Sequence, residues 1–189
     1  MSNIKVFEND LPKDLDLSNE KFIGLDNEAL GLVLGRDPLT LVQLGLESKN
    51  FYLINLNRET YNAPNLIRAL SNESTQYIMH YARQDLLWLK YHLNVKPKNI
   101  FCTKVASKIA RTASSYHGYK DLVKELCGKD ISKKEQQSDW GDPNLSDKQI
   151  KYAASDTEHL FEIRNKSVSY THLRAHETSL HLVCRLLLE

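Results

Sequence analysis

Asp26 and Glu28 stand two residues apart at the end of an apolar-rich run, Phe22 to Glu28. In a strand, that spacing sends both carboxylates out of one face while Asn27 points the other way. Like charges held close on a partly buried surface raise one another's pKa or demand a cation, and Mg2+ is the usual cation beside phosphate. A DxE pair also suits a strand end emerging into solvent, so the pair alone decides nothing. A second pattern is His80-Tyr-Ala-Arg-Gln-Asp85-Leu, in which a strand runs into a helix and sets Asp85 in the helix's first turns. The helix dipole favours an acid there whatever its function. The third is Tyr152 followed by Asp156, which at i and i+4 share one helical face and can bring a phenol and a carboxylate to one pocket.

The elements that must position these groups follow from periodicity and punctuation. Phe22 to Glu28, Leu41 to Leu46 and Phe51 to Leu56 read as three strands in a meander, separated by Gly35, Asp37 and Pro38 and then by Ser48 to Asn50. Asn62 is a candidate cap and Pro64 sits in the first turn of a helix with Leu66, Ile67 and Leu70 on one face. A strand is expected at Gln76 to His80, then a helix through Leu86, Leu87, Leu89, Tyr91 and Leu93 that stops near Lys96-Pro97. Val105 and Ile109 mark another helix, and Leu122, Val123 and Leu126 one closed by Gly128. Ser146 and Gln149 form a capping box for a helix expected to run through Arg164. Strands first, then alternating helix and strand, predict an α/β domain with a mixed sheet and helices packed on it.

The 189 residues make one domain's worth of chain, 41% hydrophobic and 26% charged, with a formal net charge of +1. That balance excludes a disordered chain and a protein that holds nucleic acid by bulk phosphate neutralisation. No run approaches the roughly 18 to 20 apolar residues of a membrane helix. Cys102, Cys127 and Cys184 lack CxxC spacing and leave one over in any pairing, which fits reduced thiols and a cytoplasmic location. The stretch 167–189 changes in character, with His172, His176 and His181 ahead of an apolar Leu180 to Leu188 run, and reads as a non-native tail behind a domain of residues 1–166.

In this order and spacing, the acidic residues resemble the DEDD superfamily of 3'-to-5' exonucleases, in the branch with tyrosine in its last motif. The match is to ribonuclease D-like proteins, through IGLDNEALGL at 23 to 32, HYARQDLLWL at 80 to 89, FCTKVASKIARTASSYHGYKDLVKEL at 101 to 126 and QQSDWGDPNLSDKQIKYAASD at 136 to 156. The resemblance spans about residues 4 to 165. It is to the short bacterial form without added helical nucleic-acid-binding domains. It implies a ribonuclease H-like mixed β-sheet flanked by α-helices, with Asp26, Glu28, Asp85 and Asp156 as catalytic, metal-holding carboxylates and Tyr152 as the fifth catalytic residue. It further implies two Mg2+ ions, with Mn2+ as a substitute, and a single-stranded nucleic acid with a free 3' end, RNA before DNA. Asn27 stands where the family usually has threonine, and Cys102 where longer relatives have an acid. Two alternatives stay open at this point, a catalytically impaired binding or scaffold protein of the same fold and an exonuclease acting mainly on DNA.

Basic residues offer contacts to the phosphate backbone: Lys104, Lys108 and Arg111 near one helical face, and Lys133 and Lys134 before Gln136. His80 and His117 are candidates beside them, and Tyr116 could stack on a base. Trp88 and Leu89 read as core, whereas Trp140 suits either loop packing or nucleic-acid contact.

Overall fold

The computed structural model describes residues 3–132 and 134–169. Six strands, β1 (Asn3–Glu8), β2 (Phe22–Ala29), β3 (Leu39–Gly45), β4 (Asn50–Asn55), β5 (Gln76–Met79) and β6 (Ile100–Cys102), form one sheet in the order β1-β4-β3-β2-β5-β6. The β2-β3-β4 meander is antiparallel, as the short turns between the runs require. β1 lies parallel to β4, and β5 and β6 extend the sheet in parallel on the β2 side. Every residue of β3 is buried, because helices cover both faces of the central sheet. The two strands missing from the sequence reading are the edge strands. β1 is half exposed and lacks clean alternation, and β6 has three residues, too few to show a period.

The helices are α1 (Pro64–Leu70), α2 (Arg83–Leu93), α3 (Thr103–Ala110), α4 (Tyr119–Cys127) and α5 (Asp147–Glu158), with a last helix, α6, over 160–169. On one face of the sheet, Leu66 and Leu70 of α1 and Trp88 and Leu89 of α2 pack against Ile23, Leu25 and Leu44. On the other face, Ala153 of α5 meets Leu41, Leu53 and Trp140. Trp140 is thus a packing residue, 4% exposed. Two local expectations are corrected, the cap of α1 and the end of the helix opened by Ser146. Asn62 does not cap α1: a carboxylate 55 residues away does, Asp10 accepting from the backbone N–H groups of Asn65 at 3.0 Å and Leu66 at 2.8 Å. The helix expected around Val105 and Ile109 is α3, although both residues are exposed and its buried side chains are Thr103, Ser107 and Ala110. The helix opened by Ser146 does not run unbroken through Arg164 but ends at Glu158. Residues 167–169 continue α6, with Ser167 buried. Lys133 and residues 170–189, with His172, His176 and His181, lie outside the described residues. Among the described residues, no helix is long and apolar enough to cross a membrane.

Candidate active site

β2 delivers Asp26 and Glu28 to the face on which α5 lies, and the register of β2 against β3 shifts directly after Glu28. Such a bulge bends a strand end and re-aims its side chains. α5 can approach closely because two glycines sit opposite each other on the sheet, Gly24 of β2 and Gly45 of β3. A Cβ on Gly45 would meet Thr157 Oγ1 at 2.6 Å, and one on Gly24 would meet the Thr157 carbonyl oxygen at 3.2 Å. Any larger residue at Gly45 would lift α5 and, with it, Asp156, the neighbour of Thr157. The N-terminus of α5 is held by the expected capping box, Ser146 Oγ accepting from the Gln149 N–H at 3.3 Å and Gln149 Oε1 from the Ser146 N–H at 3.0 Å. Gln149 Nε2 also donates to the Asp139 carbonyl at 2.9 Å, anchoring the loop that carries Trp140.

Asp26, Glu28, Tyr152 and Asp156 line one cavity of about 320 Å³, with His80 and Lys104 on its wall. Asp85, in the first turn of α2, lies outside the lining but close enough for its charge to act on Glu28 and for that of Asp26 to act on it. Asn27, on the opposite face of β2, ties the two elements together by donating from Nδ2 to the Asp85 carbonyl at 3.2 Å. Burial pushes the Asp26 carboxyl up to about 7. Burial, then the charges of Asp26, Asp156 and Asp85, push Glu28 up to about 10. Burial and Asp26 likewise raise Asp85 well above the carboxylate range. Carboxylates so placed resist ionising together unless a cation joins them. The Tyr152 phenol is raised as well, first by burial and then by Asp156, Glu28 and Asp26, so it stays protonated at neutral pH.

A model of the family described as 3'-5' exonuclease matches residues 6–167. The chain belongs to the 3'-5' exonuclease family. It is 33% identical over 144 residues to a ribonuclease D of Xanthomonas oryzae pv. oryzae, covering 76% of this chain and 39% of that protein. It is 35% identical over 140 residues to DNA polymerase I of Aquifex aeolicus, covering 74% of this chain and 22% of that protein. The chain thus spans about two fifths and about one fifth of the lengths of these curated relatives. Among solved structures, Brucella melitensis NrnC superposes with a TM-score of 0.86 at 35% identity, covering 96% of this chain and 87% of that one. The same protein has been solved with bound Mg2+ and bound to pGG. The fold is that of the ribonuclease H-like exonucleases.

Of the other residues singled out in the sequence, His80 and Lys104 reach the cavity and the rest are dispersed. His80 Nδ1 lies 2.9 Å from Thr103 Oγ1, whose proton is given to the Met79 carbonyl at 3.2 Å. The pair fixes the orientation of the His80 ring at the cavity wall. Lys104 Nζ sits 3.8 Å from the centroid of the Tyr81 ring. Lys108 is exposed outside the lining. Arg111 is committed elsewhere, donating to Ser107 Oγ at 3.0 Å and to the Tyr116 carbonyl at 3.1 Å and pairing with Glu125. His117 Nδ1 is 2.9 Å from the same Ser107 hydroxyl. Lys134 lines a neighbouring hollow with Lys148 and Lys151, which shares Tyr152 with the main cavity.

Sequence reasoning missed Tyr119. Its hydroxyl donates to the Ser155 carbonyl at 2.9 Å and accepts from the His159 N–H at 3.2 Å. In an uninterrupted helix those two backbone groups would bond each other, so the phenol has entered the ladder and broken the helix at His159. Asp156 lies inside that opened turn. Tyr119→Phe is expected to let the ladder close, shift Asp156 and lower turnover by about ten- to a hundredfold, the cost of misplacing a reacting group by about 1 Å. Steady-state kinetics on the folded variant check this, and an unchanged turnover number would dissociate the kink from the site. Tyr81 was missed too: it holds φ 61° at the cavity wall and is 54% exposed, and no local pattern marks it.

Gln43 lies directly opposite Asp26 in the β2-β3 register and is fully buried, yet among the described residues neither its Oε1 nor its Nε2 has a hydrogen-bond partner. Each buried unpaired polar group costs about 1–3 kcal/mol, and 1 kcal/mol shifts the midpoint by about 2–4 °C in a domain of this size. Gln43→Leu, of similar volume, should therefore raise the thermal midpoint by several degrees, measured by differential scanning calorimetry. A lower midpoint would mean that the amide makes a bond worth more than its desolvation.

Proposed function

We propose that this chain is a metal-dependent 3'-to-5' exonuclease, its nuclease domain at residues 1–166, that removes nucleotides from single-stranded 3' ends, RNA before DNA, as nucleoside 5'-monophosphates. The observation that carries this reading is the convergence of Asp26, Glu28 and Asp156 on one cavity with Asp85 behind them. The donor set fits a hard divalent cation. It offers carboxylate oxygens without sulfur, and it is buried enough that burial and like charge hold its protons on. Asp26, Glu28, Asp85 and Asp156 would hold two Mg2+ ions, with Mn2+ as a substitute. When bound, such ions stabilise charge on the phosphoryl and leaving oxygens and favour an activated water.

The chain's own groups do the rest. The Tyr152 phenol, kept protonated, donates a hydrogen bond and orients what sits beside Asp156. His80 and Lys104 line the wall where a phosphate would lie, and exposed Tyr81 offers a face for stacking the terminal base. A cavity of about 320 Å³ is at the small end of ligand sites, which run from about 300 to 1,000 Å³, and suits a terminal nucleotide. A second reading, favoured by that small volume and by the NrnC structure bound to pGG, is that very short oligonucleotides are the preferred substrates.

The test is a 5'-labelled single-stranded RNA, incubated with Mg2+ or with EDTA. The expected result is a ladder shortening from the 3' end, slowed by a duplexed or 3'-phosphorylated end and abolished by EDTA. A circular RNA cut as fast as the linear one would overturn the end-directed reading. Running pGG beside the longer RNA, and the DNA of the same sequence beside both, ranks the substrates by kcat/KM. Binding without cleavage under every condition would favour the scaffold alternative.

A further inference from the structure

We propose that Cys127, His159 and Glu162 form a second metal site, separate from the acidic quartet and suited to a thiophilic divalent cation of the Zn2+ type. The ligand atoms of the three side chains all lie within 4.8 Å of one another. They come from separate places in the fold: Cys127 is the last residue of α4, His159 is the residue at which the helix breaks, and Glu162 lies three residues on, in α6. His159 is buried, and Cys127 and Glu162 are half-buried, so the side chains are already confined by packing. The kink made by Tyr119 brings the break in the helix up to α4, and the cluster would be a second brace across the same junction.

The chemistry differs from that of the main site. Sulfur, imidazole nitrogen and one carboxylate oxygen are the donor types that Zn2+ takes, with three protein ligands and one position left open, whereas Mg2+ prefers oxygen. The local charges set the terms of binding. The Cys127 thiol is pushed up to about 11, first by burial and then by Glu162, so it is protonated at neutral pH and would release that proton to solvent when the cation binds. Lys166 Nζ now sits 2.7 Å from Glu162 Oε1 and also donates to the Leu126 carbonyl, and Lys129 acts on the same three residues. Lys166 thus holds a positive charge on the carboxylate that the metal would take over.

The test uses the full chain in excess Mg2+, titrated with Co2+ alone. The expected result is one equivalent of Co2+ giving a thiolate-to-metal charge-transfer band that Zn2+ then bleaches. The band should persist when Cys102 and Cys184 are both replaced by serine, and Lys166→Met should strengthen binding. Cys127→Ser should remove the band and weaken Co2+ affinity by at least about a hundredfold. Zn2+ should raise the thermal midpoint of the wild-type chain and leave that of Cys127→Ser unmoved. Absence of the band, or its survival in Cys127→Ser, would overturn the proposal. Because Cys127→Ser is nearly isosteric, a near-ultraviolet circular dichroism spectrum matching the wild type ties the loss to the ligand rather than to the fold.

Discussion

Asp26→Ala is expected to lower nucleotide release by on the order of 10⁴-fold or more, the scale seen when one member of a catalytic group acting as a unit is removed. Asp26 lines the cavity and its charge bears on Glu28, Asp85 and Tyr152, so no neighbour can replace it. The same change should stabilise the metal-free protein at alkaline pH. In the folded chain burial pushes the Asp26 and Glu28 carboxyls up to about 7 and about 10, against about 4 in the unfolded chain. Between those values the folded state binds more protons than the unfolded one, so metal-free stability falls as pH rises from about 4 through 7 and beyond. Without Asp26, one such proton is gone and Glu28 loses a repelling neighbour. Unfolding midpoints measured in EDTA at pH 5 and pH 8 should fall with pH in the wild type and fall less in the variant, while Mg2+ should flatten the wild-type slope. Retained nuclease activity in Asp26→Ala, purified free of host nucleases, would refute the assignment of the quartet.

Tyr152→Phe is expected to lower turnover by about 10²-fold with little change in KM, the range of a group that positions a proton or a water. The phenyl ring keeps its place against Trp140, whose ring centroid is 6.0 Å away, so packing is preserved and only the hydroxyl goes. The hydroxyl cannot serve as a base at neutral pH, because burial and three carboxylates hold its proton on. Its contribution is a donated hydrogen bond, and the predicted signature is a pH-rate profile of unchanged shape at a lower plateau. A turnover number equal to that of the wild type would leave Tyr152 a packing residue.

Much of the site was legible because it is built from short-range patterns. Asp26 and Glu28 share a strand face and Tyr152 and Asp156 a helix face by backbone geometry alone, whatever the rest of the chain does. The Ser146-Gln149 box announces the start of α5 in the same way. The basic residues were less legible, since spacing cannot tell which cation already has a partner. Lys104 lies in the first turn of α3 and Arg111 directly after its last residue, yet one lines the cavity and the other is held by Ser107, Tyr116 and Glu125.

What the sequence determined by itself is the number and type of candidate acids and the local element that carries each. What only the tertiary structure decided is how those elements meet. Asp10 caps a helix 55 residues away, Gly24 and Gly45 clear the sheet for Thr157, and the Tyr119 hydroxyl opens the turn that holds Asp156. Each of these joins residues distant in the chain, and none has a period or a local motif to betray it. Periodicity reports which face of an element is apolar, whereas the convergence of Asp26, Glu28 and Asp156 on one cavity, with Asp85 beside it, depends on how closely two backbones can pack. That is settled by the volume of side chains lying between them, here by the absence of any at two glycines.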